Sequence, residues 1–153
     1  MRKSLNSFEK IIGIKFKNQN LLLQSLTHKS NNPLNNNEKL EFLGDRVLGL
    51  IISKNLYKLF PKDKEGDLDK KLASLVNKKR CVEISNYLSL KDYVLVGDNK
   101  DNLKIENKIL ADTVESIVGA LYLDQGLEVT EKFILNYWKR FLNEKLTIYR
   151  DPK

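Results

Sequence analysis

Residues 109–123 read ILADTVESIVGALYL, and this stretch says most about how the chain folds. At 100° per residue its apolar side chains point in nearly every direction, which is typical of a helix buried inside a domain. Asp112 and Glu115 nevertheless share one face of this helix, and Gly119 lies one turn further along it, where another backbone could approach closely. An ionised carboxylate in a dry interior is prohibitively unfavourable, so these acids must meet a cation or take up protons.

A second helix, predicted over residues 38–60, combines apolar and acidic residues in the same way. Its apolar face is formed by Leu40, Leu43, Val47, Leu50 and Ile51, and its acidic stripe by Glu38, Glu41 and Asp45. A solvated helix face is the ordinary interpretation of such a stripe. Because Leu48, Ile52 and Leu56 continue on the acidic side, we instead place the acids at the rim of a core, with Gly44 beside them.

The two acidic faces explain each other if the two helices pack together. Glu41, Asp45, Asp112 and Glu115 would then converge, and like charges at such distances repel by on the order of several kcal/mol even at an effective dielectric of about 20. Divalent cations would remove this repulsion, and an all-oxygen ligand set suits a hard ion such as Mg²⁺ or Mn²⁺. The sequence therefore predicts a metal centre between the helices.

The composition restricts what such a centre could serve. The chain has 153 residues, with 27 Lys and Arg against 20 Asp and Glu, and its net charge of +7 would attract nucleic acid. The alternative explanation is that the abundance of Lys and Asn reflects genome composition. A single cysteine, Cys81, and a single histidine, His28, exclude a disulfide framework and make zinc chemistry a poor fit. A hard-metal carboxylate cluster on a basic domain favours phosphodiester hydrolysis.

The rest of the chain is also predicted to be helical, so we expect an all-α fold. The further helices are predicted over residues 4–12, 18–26, 67–77, 78–88 and 127–146, and the helix quoted above extends over 105–124. Residues 93–97 are predicted to be extended and 98–104 to form a polar loop, and Asn37 is expected to cap the second acidic helix. No apolar run approaches the roughly 20 residues of a membrane span, so we expect a cytoplasmic protein without a membrane partner.

The segment EKLEFLGD at residues 38–45 resembles the signature of the ribonuclease III family of double-stranded-RNA endonucleases. Four further segments agree with that family in order and spacing: LTHKS at 26–30, EG at 65–66, LASLV at 72–76 and ILADTVESIVGALYLD at 109–124. The resemblance covers about residues 5–146, nearly the whole chain. It implies the all-helical ribonuclease III endonuclease fold, a homodimer, and hydrolysis of double-stranded RNA by Mg²⁺-activated water, with Mn²⁺ as a substitute.

The resemblance also implies roles for individual residues. Asp45 and Glu115 match the catalytic pair, and the metal ligands match Glu41, Asp45, Asp112 and Glu115. Glu38 and Glu65 match accessory acids near the site or the substrate, and Phe42 matches an aromatic residue that inserts into the partner subunit. The products would have 5′-phosphate and 3′-hydroxyl ends with short 3′ overhangs, from ribosomal and other structured RNA precursors.

Some positions depart from the family. Lys39 and Lys70 stand where Arg is usual and Asp69 where Ser is usual, which affects substrate contacts more than chemistry. We expect residues 1–147 to form the catalytic domain and residues 148–153 to begin a linker, since bacterial members normally continue into a double-stranded-RNA-binding domain.

Two other functions remain open from the sequence. One is a non-catalytic, ribosome-associated RNA-binding relative, which would be free to lose one of the four acids that this chain keeps. The other is a structural helical dimer without an RNA role, which the basic charge and the acids on apolar helices both disfavour.

Overall fold

The computed structural model describes the backbone of residues 3–97 and 105–150 and the side chains of residues 3–97 and 105–146. Within these ranges the chain forms α1 Leu5–Ile12, α2 Gln19–Ser25, α3 Glu38–Leu59, α4 Glu65–Val76, α5 Lys78–Tyr87, α6 Asn107–Gln125 and α7 Leu127–Arg150, with a 3₁₀ turn at Leu90–Asp92. The expected all-α fold is confirmed. The predicted loop 98–104 and residues 151–153 lie outside the described residues.

Several helix ends follow from local sequence. Ser4, Asn18 and Asn77 accept hydrogen bonds from backbone N–H groups in the first turns of α1, α2 and α5. Gly13 ends α1 with φ of 70°, in the left-handed region that glycine tolerates best. Helix α7 continues to Arg150, past the predicted end at Leu146, so residues 148–150 are helical, and the domain boundary near residue 147 stays a prediction.

One predicted helix cap and one predicted helix start differ from the structure. Asn37 precedes α3, but its side chain makes no capping bond; its amide donates instead to the Ser25 carbonyl at 3.2 Å, which ties the start of α3 to the end of α2. Helix α4 begins at Glu65 rather than Asp67, because Asp67 accepts a hydrogen bond from the Lys64 backbone N–H at 3.2 Å, the position of an acid inside the first turn.

Helix α6 lies at the centre of the fold, in contact with α2, α3, α5 and α7. Its side chains from Thr113 to Leu121 are buried without interruption, as the apolar pattern predicts. Cys81 and Trp138 are also in the core, and the Trp138 indole donates to the Leu75 carbonyl at 2.7 Å. Leu50 departs from its predicted place in the apolar face of α3, since it is 57% exposed.

Helices α3 and α6 cross in backbone contact at two glycines. A Cβ built on Gly44 would lie 1.6 Å from the backbone oxygen of Glu115, and one built on Gly119 would lie 2.2 Å from that of Leu40. No side chain other than hydrogen fits at either position. The predicted close approach is confirmed, and it determines where the acidic residues of the two helices stand. Among the described helices, none has both the length and the apolar character needed to cross a membrane.

Candidate metal centre

The crossing of α3 and α6 brings acids from both helices together. One carboxylate oxygen each of Glu41, Asp112 and Glu115 lies within 4.8 Å of the others. The side chain of Asp45, one turn beyond Glu41 on α3, interacts with Glu115. We call these four residues the acidic cluster. Three of the four acids that the sequence predicts to converge are therefore grouped within 4.8 Å, and Asp45 lies outside that group.

Glu41, Asp45 and Glu115 of the acidic cluster line a cleft of about 580 Å³, which we call the acidic cleft, and Asp112 lies behind the lysines on its wall. Its walls come from α3, from the junction of α4 and α5, and from the start of α6. The lining residues are Glu38, Glu41, Phe42, Asp45, Arg46, Val76, Asn77, Lys78, Lys108 and Glu115. The structure thus places Glu38 and Phe42 at the site. Glu65 is exposed at the first residue of α4 and is not among the lining residues.

Cations from three helices compensate the acidic cluster. Asp112 receives the Lys78 ammonium on one carboxylate oxygen at 2.6 Å and the Lys108 ammonium on the other at 2.7 Å. Arg46 contacts Asp45 at 3.2 Å and stacks over the Phe42 ring at 4.2 Å. Sequence reasoning missed the pairing of both lysines with Asp112. Of the two pairings, only that of Lys108 could have been predicted from the sequence, because Lys108 lies four residues before Asp112 on the same helix face.

The remaining acids are compensated by protons. Burial, with the neighbouring Asp45, raises the pKa of Glu115 to about 8. Burial, with the neighbouring Asp112, raises the pKa of Glu41 to about 7. Burial acts in the same direction on Asp112, but the hydrogen bonds from Lys108 and Lys78 outweigh it and lower the pKa of that carboxyl. At neutral pH the metal-free cluster therefore holds Asp112 ionised and Glu115 largely protonated.

The donor set fits a hard divalent ion. Each of Glu41, Asp112 and Glu115 offers a carboxylate oxygen, and oxygen ligands are those that Mg²⁺ and Mn²⁺ prefer. Three protein oxygens would leave other coordination positions open to water or substrate. A catalytic ion needs such open positions. The neighbouring thiol is unsuited to this role, because Cys81 is buried and burial raises its pKa to about 12.

Known proteins are similar to this chain in sequence. The Ribonuclease-III-like family matches residues 18–141. A ribonuclease 3 from Pelagibacter ubique is 51% identical over 100% of this chain and 69% of its own length, and one from Coxiella burnetii is 41% identical over 97% and 65%. The chain thus spans about two thirds of the length of these relatives.

Solved structures of other proteins are similar to this chain in fold. The nuclease domain of ribonuclease III from Campylobacter jejuni, studied for flexibility in a region involved in its dimer formation, superposes with a TM-score of 0.86 at 40% identity, over 90% of this chain and 97% of that one. Dicer from Pichia stipitis superposes with a TM-score of 0.64 at 25% identity, over 88% of this chain and 59% of that one. On the match over residues 18–141 and the identity to these relatives, the chain belongs to the ribonuclease III family.

Proposed function

We propose that this chain hydrolyses phosphodiester bonds of double-stranded RNA with a divalent ion held by the acidic cluster. The observation that supports this most is the convergence of Glu41, Asp112 and Glu115 within 4.8 Å, with Asp45 beside them, in an open cleft of a protein whose net charge is +7. An acidic cleft would repel RNA by itself. A divalent ion offsets two of its negative charges, and the basic surface around it attracts the polyanion.

Each residue of the cluster has a proposed part. Glu41, Asp112 and Glu115 would hold Mg²⁺, with Mn²⁺ as a substitute. Asp45, the fourth ligand expected from the sequence, lies outside that group of three and would act through Glu115, with which its side chain interacts. Bound there, the ion supplies a nucleophile by lowering the pKa of a water molecule and stabilises the charge that develops on phosphorus. Asp45 and Glu115 are the proposed catalytic pair, as the family resemblance implies, and Glu115 is the buried acid of the group of three.

We further propose that two copies of the chain act together. Phe42 is 61% exposed at the rim of the acidic cleft, and Leu50 and Tyr57 are exposed further along the same side of α3. Exposed apolar residues in a row indicate an interaction surface, and a two-fold partner would cover it with the same surface. Two acidic clefts could then face one duplex and cut both strands.

The accessory acids and the products belong to the same proposal. Glu38 lines the acidic cleft and could contact substrate there, whereas Glu65 would need RNA or a second copy to bring it to the reaction. Family membership supports products with 5′-phosphate and 3′-hydroxyl ends and short 3′ overhangs, and a role in processing ribosomal and other structured RNA.

The proposal is tested by incubating the purified chain with a long RNA duplex, its separated strands, and a DNA duplex of the same sequence. Low salt favours the encounter, because phosphate contacts weaken steeply as salt rises. We expect cleavage of the RNA duplex in millimolar Mg²⁺ or Mn²⁺ and none in EDTA. Duplex binding without cleavage in any of the metals would instead support a non-catalytic RNA-binding protein.

A further inference from the structure

Asp112 differs from the other members of the acidic cluster in being closed off by two ammonium groups. Lys78 from the start of α5 bonds one of its oxygens at 2.6 Å, and Lys108 from the start of α6 bonds the other at 2.7 Å. The Asp112 side chain is only 14% exposed beneath them. Lys78 also interacts electrostatically with Glu41 and Glu115, and Lys108 with Glu41, so the two lysines face the three proposed metal ligands rather than one acid alone.

A metal ion bound to Asp112 would be repelled by the two ammonium groups bound to the same carboxylate. A Mg²⁺ bound to an Asp112 oxygen at about 2.1 Å would lie no more than about 5 Å from the ammonium on that oxygen, given the ammonium distances of 2.6 and 2.7 Å. A doubly charged and a singly charged cation at that separation repel strongly in a partly buried site. The ion must therefore displace the lysines or bind more weakly because of them.

The structure leaves room for the two lysine side chains to move away from Asp112. Their side chains are 59% and 68% exposed, so moving them does not disturb the core. A second cleft of about 410 Å³ adjoins both, between α5 and the start of α6, and is lined by Lys78, Lys79, Val82, Glu83, Asn107 and Lys108. This space gives the ammonium groups room to move away from Asp112, and the Glu83 carboxylate on its wall already pairs with Arg80 at 3.0 Å.

We propose that Lys78 and Lys108 are resident counter-ions of Asp112 that stabilise the metal-free centre and compete with the divalent ion, so that they set its affinity. This inference rests on the metal binding proposed above. It makes the two lysines positioning residues, which act through Asp112 and not on the substrate. When no ion is bound, Lys78 ties the start of α5 to α6 and both lysines compensate Asp112, and their displacement lowers the net affinity for the ion.

The test measures binding of Mn²⁺ alone by the loss of the free-ion paramagnetic resonance signal, without RNA. We expect Lys78→Met and Lys108→Met each to tighten binding about threefold and the double variant about tenfold, in keeping with the modest strength of exposed ion pairs. Lys79→Met is the matched control, because Lys79 is a neighbouring exposed lysine with no bond to Asp112 among the described contacts. Its affinity should stay within about twofold of wild type, as should that of Lys78→Arg, which keeps the charge.

Thermal unfolding separates competition from a merely structural role. The double variant should melt below wild type in EDTA and at the wild-type midpoint in saturating Mn²⁺, whereas a structural role would lower both midpoints equally. Equal tightening by Lys79→Met would reduce the effect to general surface charge and overturn the inference. So would unchanged or weaker binding by the lysine variants. A wild-type chain that binds no Mn²⁺ would instead refute the proposed metal site itself.

Discussion

Replacing Gly44 by alanine tests whether the crossing of α3 and α6 builds the acidic cluster. The new Cβ would lie 1.6 Å from the Glu115 backbone oxygen, whereas real Cβ contacts stay beyond 3.0 Å, so the helices must separate by at least the difference of 1.4 Å. The obstacle is backbone rather than a flexible side chain. Mg²⁺ ligand distances tolerate about 0.2 Å, so this displacement should break the ligand set.

The cost in stability can be worked from the same geometry. Overpacking a core costs about 1–3 kcal/mol, and an immovable backbone obstacle places Gly44→Ala at the upper end. Alanine recovers about 1 kcal/mol of helix propensity, which leaves a loss of about 2 kcal/mol, or about 4–8 °C in melting temperature for a chain of this size.

Gly49→Ala is the matched control on the same helix. A Cβ at Gly49 meets no atom within 4 Å, so this variant should gain about 1 kcal/mol from helix propensity. The assay is thermal unfolding of wild type and both variants in EDTA and in millimolar Mn²⁺. Gly44→Ala should melt lower and lose the metal-dependent rise, while Gly49→Ala should keep it. A Gly44→Ala protein as stable as wild type, with the same metal response, would refute the close crossing.

Three further predictions concern pH, assembly and salt. Because the folded-state pKa of Glu115 is raised from 4.5 to about 8, the metal-free protein should lose stability as pH rises through that interval, a loss that Glu115→Gln should reduce in melting curves taken in EDTA at about pH 5.5 and 8. At micromolar concentration the chain should sediment as a dimer that Phe42→Ala weakens; a wild-type species near 17.8 kDa alone would contradict the proposed interface. Replacing Lys70 and Lys79 by alanine should weaken duplex binding and flatten its salt dependence, with slower cleavage that excess RNA restores; an unchanged salt slope would show that neither lysine contacts phosphate.

The contact between α3 and α6 could be predicted because several local signals agree. Acids on an apolar helix need compensation, and Gly44 and Gly119 stand beside them where close approach is possible. These are properties of single helices, readable from spacing. The structure adds the distance, which places Glu41, Asp112 and Glu115 within 4.8 Å. What they bind stays a proposal.

Other features could not be read from the sequence. The bond from Lys78 to Asp112 joins residues 34 positions apart on different helices and depends on how α5 lies against α6. Asn37 is of a residue type that often caps helices, but its side-chain amide donates a hydrogen bond to the nearby Ser25 carbonyl instead. Leu50 falls on the apolar face of α3 by its spacing but is exposed, because the sequence pattern of an exposed apolar residue does not differ from that of a core-facing one.

The most direct test of the central claim is the cleavage rate of Glu115→Gln on a long RNA duplex in millimolar Mg²⁺, with duplex binding measured on the same protein. This substitution keeps the size of the side chain and removes the carboxylate that would bind the ion. We predict that cleavage is lost while binding persists, and that Glu128→Gln, a matched change at an exposed acid in the first turn of α7, cleaves as wild type does. Cleavage by Glu115→Gln at the wild-type rate would show that the acidic cluster is not the catalytic centre.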